Sequence, residues 1–214
     1  MRRFAHIVAS IGVVIALAGC DEQRSTTPPA PVGSATRASS FLTIGSSATE
    51  GDGVSDRLHE AWPYLMFDHA FPISTTLVNA AIDGATVTNA SVQQLPVARR
   101  VEPDVVAIWL GVDDLAQHTP IHEFTPALEK LIQEVRATGA QRILVADIPS
   151  VFGESSALYN AAIRHAVRAT KSTLVELSRA AVTLTPSRGL NDQPDAASQR
   201  VIALAFERAL KTLG

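Results

Sequence analysis

Five short apolar runs, alternating with longer helical patterns, constrain this chain more than any other feature. They are FLTIG (41–45), TTLVNAAI (75–82), DVVAIWLG (104–111), RILVADI (142–148) and STLVELS (172–178). Their apolar residues run consecutively, so each is read as a parallel strand buried on both faces. Between them, PALEKLIQEVRATG (126–139) puts Leu128, Leu131, Ile132 and Val135 on one helical face with charge opposite, and Gly139 supplies a C-terminal stop. SALYNAAIRHAVRAT (156–170) and DAASQRVIALAFERALKTLG (195–214) repeat that pattern. Strand–helix alternation with short links predicts an α/β domain, a three-layer α/β/α sandwich around a five-stranded parallel sheet. Ligands of such sheets sit at the carboxyl ends of the strands. Ser47, Gly84, Asp113 and Asp114 all follow strand ends, which brings them to one rim.

The N-terminal 40 residues do not belong to that domain. Arg2 and Arg3 precede a short apolar stretch, IVASIGVVIALAG (7–19), too short to span a bilayer comfortably and suited to a cleaved secretory signal. It ends in Leu17-Ala18-Gly19-Cys20, which resembles the bacterial lipobox, where cleavage falls before the cysteine and lipid is attached to it. Cys20 is the only cysteine, so no internal disulfide competes for it. Residues 21–40, DEQRSTTPPAPVGSATRASS, are Ser-, Thr-, Pro- and Ala-rich and carry too little apolar surface to fold. The expected organisation is a signal at 1–19, a lipidated Cys20 with a flexible tether to residue 40, and one domain at 41–214. That makes the protein extracytoplasmic, held to a bacterial membrane through Cys20, with a monomer as the default state.

Charge and motif exclude several functions. Loss of Arg2 and Arg3 with the signal would take the formal charge from −3 to −5. There is no basic cluster, so nucleic acid is not an expected partner. GSSATEGDG (45–53) lacks the lysine of a phosphate-binding loop, and GDGVSD (51–56) lacks the third glycine of a dinucleotide fingerprint. No repeat of 20 to 50 residues indicates a solenoid.

The same segment suits another chemistry. A serine at a strand-to-helix turn exposes its oxygen and has backbone N–H groups beside it that can serve an oxyanion. From the residues alone, Ser47 is either such a nucleophile or a serine that caps an ordinary turn.

Four blocks in order carry a resemblance. IGSSATEG (44–51) resembles the first block of the SGNH (GDSL-type) hydrolase family, Gly-Asp-Ser-x-Thr-x-Gly. Ser47, Thr49 and Gly51 match, and Ser46 stands where the family has Asp. LVNAAIDGATV (77–87) resembles the second block, with Gly84 at the oxyanion-hole glycine. PDVVAIWLGVDDL (103–115) resembles the third, Gly-x-Asn-Asp, with Gly111 and Asp114 matching. The resemblance spans residues 41–214 and implies a flavodoxin-like sandwich without cofactor or metal. It further implies Ser47 as nucleophile, the N–H groups of Ser47 and Gly84 as oxyanion donors, and ester substrates: lipids, acylated glycans or small carboxylic esters.

The departures fall on the chemistry. The oxyanion-hole Asn of the family is Asp113 here. Its last block, Asp-x-x-His-Pro, falls on LNDQP (190–194), with Leu190 at the orienting Asp and Gln193 at the general-base His. A one-residue slip would move Asp192 toward the Asp position, yet no histidine follows. A serine hydroxyl is a poor nucleophile without a base. Loss of the base in a known triad lowers turnover by about a millionfold. Asp113 could act as a protonated donor beside Asp114, since adjacent carboxyls push one another's pKa upward, or as an ill-matched base. His118 and His122, in DDLAQHTPIHE (113–123), are the possible substitute bases, set against an exposed loop and a helix start at Thr119-Pro120. His165 is read as ordinary helix packing or surface. A metal site from Asp113, Asp114, His118 and His122 is disfavoured because Pro120 breaks the helical register. Trp62, Tyr64 and Phe67 are read as core, and Asp83, beside Gly84, as a turn residue. Two functions stay open: an ester hydrolase acting through Ser47, and a degenerate hydrolase that binds an envelope glycan, lipid or protein.

Overall fold

The structure, a computed structural model, describes residues 39–185 and 192–212; the expected signal, Cys20, the tether up to residue 38 and Leu190 lie outside them. The chain begins with strand β1 (Ser40–Gly45), then short helices α1 (Ser47–Glu50), α2 (Arg57–Glu60) and α3 (Trp62–Ala70). Strand β2 (Thr76–Asn79) leads to α4 (Val87–Gln93) and α5 (Leu95–Val101). Strand β3 (Val105–Trp109), α6 (Val112–Ala116), α7 (Ile121–Arg136), β4 (Arg142–Ala146), α8 (Ser156–Thr170) and β5 (Thr173–Val175) follow. Two short strands, β6 (Leu184–Thr185) and β7 (Gln193–Pro194), precede the final helix α9 (Ala196–Lys211).

The sheet runs β2-β1-β3-β4-β5, every pair parallel, as expected. The period-two geometry of a strand sends alternate side chains to opposite layers. Leu42, Ile44, Val106, Ile108, Ile143 and Val145 meet α4, α5, α7 and α8 on one face. Phe41, Val105, Ala107, Trp109, Leu144 and Ala146 meet α3 and α9 on the other. Trp62 and Phe206 stack there with ring centroids 4.2 Å apart, so Trp62 is core, as read from the sequence, while Tyr64 and Phe67 are half-buried. Such a stack contributes on the order of 1 kcal/mol beyond the burial of the rings.

Burial on both faces holds for β1, β3 and β4 but not for the edges. β2 and β5 are only partly covered, because an edge strand has a neighbour on one side alone. The apolar runs at 75–82 and 172–178 are correspondingly longer than the strands they form. The surplus of the first becomes the turn that carries Asp83 and Gly84. Helix α8 coincides with its expected span, while α7 starts earlier, directly after Pro120, and ends at Arg136.

Candidate active site

Ser47 sits where β1 gives way to α1. Ser46 is the N-terminal cap position, yet its side chain makes no capping bond; Ser47 is the first helical residue. Its N–H therefore has no intrahelical acceptor and faces outward from the helix start. Three side-chain amides, two of them fully buried and Asn79 half-buried, fix this corner. Gln94, fully buried, accepts from the Gly45 N–H and donates to the Gly45 carbonyl, each at 2.9 Å. Asn79 accepts from the Thr43 hydroxyl and donates to the Thr49 carbonyl. Gln199, also fully buried, donates to the Ala48 carbonyl at 3.0 Å and accepts from the Trp62 N–H. Gly45 is required by close approach: a Cβ there would lie 2.1 Å from Thr49 Oγ1.

The hydroxyl of Ser47 is held from the next strand end. It donates to Asp83 Oδ1 and accepts from the Gly84 N–H at 3.4 Å. Asp83, read from sequence as a turn residue, is in a turn, and its carboxylate also engages Ser47. Gly84 has φ +68° and open space where a Cβ would stand, so glycine serves the left-handed backbone that aims its N–H. The bond to Asp83 also sets aside the capping role for Ser47: its side chain spans to another element instead of closing its own helix.

Asp113 and Asp114 open α6 after Gly111. Burial pushes the Asp113 carboxyl above its ordinary value; a hydrogen bond from Ser46 opposes this and the charge of Asp83 adds to it. The charge that adds to the rise of Asp113 is that of Asp83, while the expected coupling between Asp113 and Asp114 acts on Asp114. Asp114, 1 % exposed, is pushed up to about 6, again by burial. Its Oδ2 accepts from the Val87 N–H at 3.0 Å, which ties α6 to the start of α4, close behind Gly84. Tyr159 donates to the Asp114 and Thr119 carbonyls and closes this second layer.

Among the described residues none of the remaining candidates bonds the serine, although β7, which carries Gln193, packs against α1. His118 is exposed at φ +58°, in the loop after α6, and His122 is exposed on α7 beside Glu123. His165 is exposed on α8, 3.4 Å from Glu129. Gln193 is buried in the β6–β7 pair, its Cβ 2.9 Å from where a Cβ on Gly53 would be. Among the described residues the Ser47 hydroxyl bonds Asp83 and Gly84, not Gln193 or a histidine. Among them, too, no group of three His, Cys, Asp or Glu side chains is placed to hold a metal ion.

Solved structures share this architecture. TesA is 22% identical with a TM-score of 0.68, over 82% of this chain and 99% of its own. A catalytic mutant of Axe2, an acetylxylan esterase from Geobacillus stearothermophilus, is 18% identical with a TM-score of 0.65, over 80% and 94%. The psychrotrophic esterase EstA from Pseudoalteromonas sp., inhibited by monoethylphosphonate, is 22% identical with a TM-score of 0.64, over 82% and 98%. No curated protein matches the chain. Residues 43–203, which hold Ser47, Gly84, Asp113 and Gln193 alike, match the model of the GDSL-like lipase/acylhydrolase family, and the chain belongs to that family.

Proposed function

We propose that this protein hydrolyses carboxylic esters through Ser47. One observation carries the reading: the Ser47 hydroxyl lies between a carboxylate that accepts its hydrogen bond and a glycine N–H aimed at its oxygen. A tetrahedral oxyanion formed on Ser47 would meet the N–H groups of Gly84 and Ser47. Removing one such donor costs about 10²- to 10³-fold in a related setting. Asp113, which burial raises above its ordinary value, stands at the position of the family's asparagine and in its protonated form would donate to that oxyanion.

The Asp83 carboxylate beside the serine disfavours anionic acyl groups, so the substrates are neutral esters: small esters, acylated glycans or lipids. The known esterases of this fold, Axe2 and EstA among them, support the ester class. The reaction needs no cofactor. The sequence at Leu17–Cys20 supports an extracytoplasmic, lipid-anchored protein, and Cys20→Ser should then move it from the membrane fraction to the soluble one. No helix among the described residues is long and apolar enough to cross a membrane.

Gln193 at the family's histidine position favours a second reading, a pocket that binds its ester or glycan without turnover. Hydrolysis of p-nitrophenyl acetate and butyrate by the full chain decides between them. Turnover that disappears in Ser47→Ala supports the hydrolase. A folded protein whose rate equals that of Ser47→Ala supports the binder.

A further inference from the structure

Resting on the reading of Ser47 as nucleophile, we infer that Asp83 is the general base of this site, taking over the proton-accepting role that the family gives to histidine. The bond from Ser47 Oγ to Asp83 Oδ1 is the first ground. It is a contact between side chains 36 residues apart, made by an oxygen that a helix-start serine would ordinarily turn toward its own backbone. The second ground is the Gly84 N–H on the same oxygen. With one lone pair taken by Gly84 and the proton directed at Asp83, the hydroxyl is oriented rather than free to rotate, and a lone pair remains for attack.

The third ground is position. Asp83 lies on the exposed turn after β2, so its carboxylate reaches both the serine and solvent. A base for ester hydrolysis needs both, because the second half of the reaction activates a water. The other candidates make no bond to the serine among the described residues: His118 and His122 are exposed, and an amide such as Gln193 accepts no proton near neutrality. The two carboxyls nearest the serine then hold separate tasks. Asp83 holds the serine hydroxyl, while burial, aided by the charge of Asp83, raises Asp113 above its ordinary value.

The cycle balances without a further component. Ser47 Oγ attacks the acyl carbon as its proton passes to Asp83 Oδ1, giving a tetrahedral oxyanion held by the Gly84 and Ser47 N–H groups. The bond from carbon to the leaving oxygen breaks, and Asp83 returns the proton to that oxygen, releasing the alcohol. A water then attacks the acyl-serine and gives its proton to Asp83. Collapse breaks the acyl–Oγ bond, Asp83 reprotonates Ser47, and the carboxylic acid leaves. A carboxylate is a weaker base than imidazole, so the enzyme is slow and favours esters with good leaving groups.

The test is the rate of labelling by a fluorophosphonate, read by intact mass on the full chain. Wild type, Ser47→Ala, Asp83→Asn and Asp83→Ala are compared, with formate added to the last. Asp83→Asn keeps an acceptor for the Ser47 hydroxyl and changes an exposed position, and its melting temperature is measured beside wild type. The expected result is an adduct absent in Ser47→Ala, slowed about 10²- to 10⁴-fold in Asp83→Asn and partly restored in Asp83→Ala by formate. Labelling of Asp83→Asn at the wild-type rate, with Ser47→Ala inert, overturns the base assignment and leaves the hydrolase standing. Slowed Asp83 variants without formate rescue mean that the carboxylate only orients the serine, which overturns the proton transfer. An unlabelled wild type overturns the hydrolase reading itself.

Discussion

The corner that holds Ser47 and the corner that holds Gln193 are built to different standards. Around residues 43–49, three side-chain amides from three other elements each satisfy backbone or side-chain partners, those of Gln94 and Gln199 in the interior. A buried amide is tolerated only where its hydrogen bonds are met, so this arrangement admits one geometry of the loop. Around Gln193, two-residue strands pair through the backbone, and the side-chain bonds among the described residues lie beside them, where Thr183 bonds Ser198 and Asp195 and Asp195 caps α9 through the Ser198 N–H. The family divides its chemistry between these corners, with the nucleophile in one and the base in the other. Here the polar groups that address the serine have gathered in the first: Asp83 and Gly84 come from the turn after β2, the direct neighbour of β1.

The largest effect should follow from loosening the first corner. Gln94→Leu removes the acceptor of the Gly45 N–H inside the core and leaves the Gly45 carbonyl with the Ile82 N–H. One stranded donor plus a lost bond costs about 3 kcal/mol, measured by urea unfolding. Labelling of Ser47 should fall at least about tenfold even under conditions where the variant is folded, since a small displacement of reacting atoms is costly. Unchanged labelling in a destabilised variant would mean that the amides serve the fold alone.

Much of this was legible in the sequence, for reasons that differ by element. β1, β3 and β4 declare themselves because consecutive apolar residues have no use except between two helical layers. α7, α8 and α9 are long enough for a 3.6-residue period to emerge. The helices between residues 57 and 101 have nine residues or fewer, and α4, VTNASVQ, mixes small with polar residues, so no period rises above the noise. Ser47, Gly84 and Asp113 were legible through their blocks. Asp83 was not, since Asp-Gly reads as turn chemistry. Only the parallel register, Thr43 opposite Asn79, brings the turn after β2 up to the start of α1. Gln94 and Gln199 were missed for a related reason: a glutamine on a helix reads as surface until the tertiary fold supplies a backbone for its amide.

A smaller effect separates the second layer of the first corner from its chemistry. Asp114 moves from an ordinary 3.8 to about 6 on folding, chiefly through burial. The folded state then binds more protons than the unfolded chain between those values. The group's contribution is most favourable below about pH 4 and is lost as pH rises through 6. Asp114→Asn keeps an acceptor for the Val87 N–H and removes the titration. Between pH 5 and pH 8 the wild type should lose about 1 kcal/mol relative to this variant, read from paired urea unfolding curves. Parallel curves would place the Asp114 carboxyl in a better-solvated site than its burial indicates.

The smallest effect is expected at the family's base position, and it bears most directly on the contrast between corners. Gln193 is buried, but its visible work is steric and backbone: pairing with Thr185 and packing its Cβ against the Gly53 turn. Gln193→Ala retains both. Its fluorophosphonate labelling rate should stay within about threefold of wild type, the range of a change that leaves the reacting groups untouched, while Asp83→Asn falls by orders of magnitude. Comparable losses in the two variants would mean that the second corner still addresses the serine once a ligand is bound. The proton would then travel through groups at both ends of the site, and the separation drawn between the corners would describe the unliganded site alone.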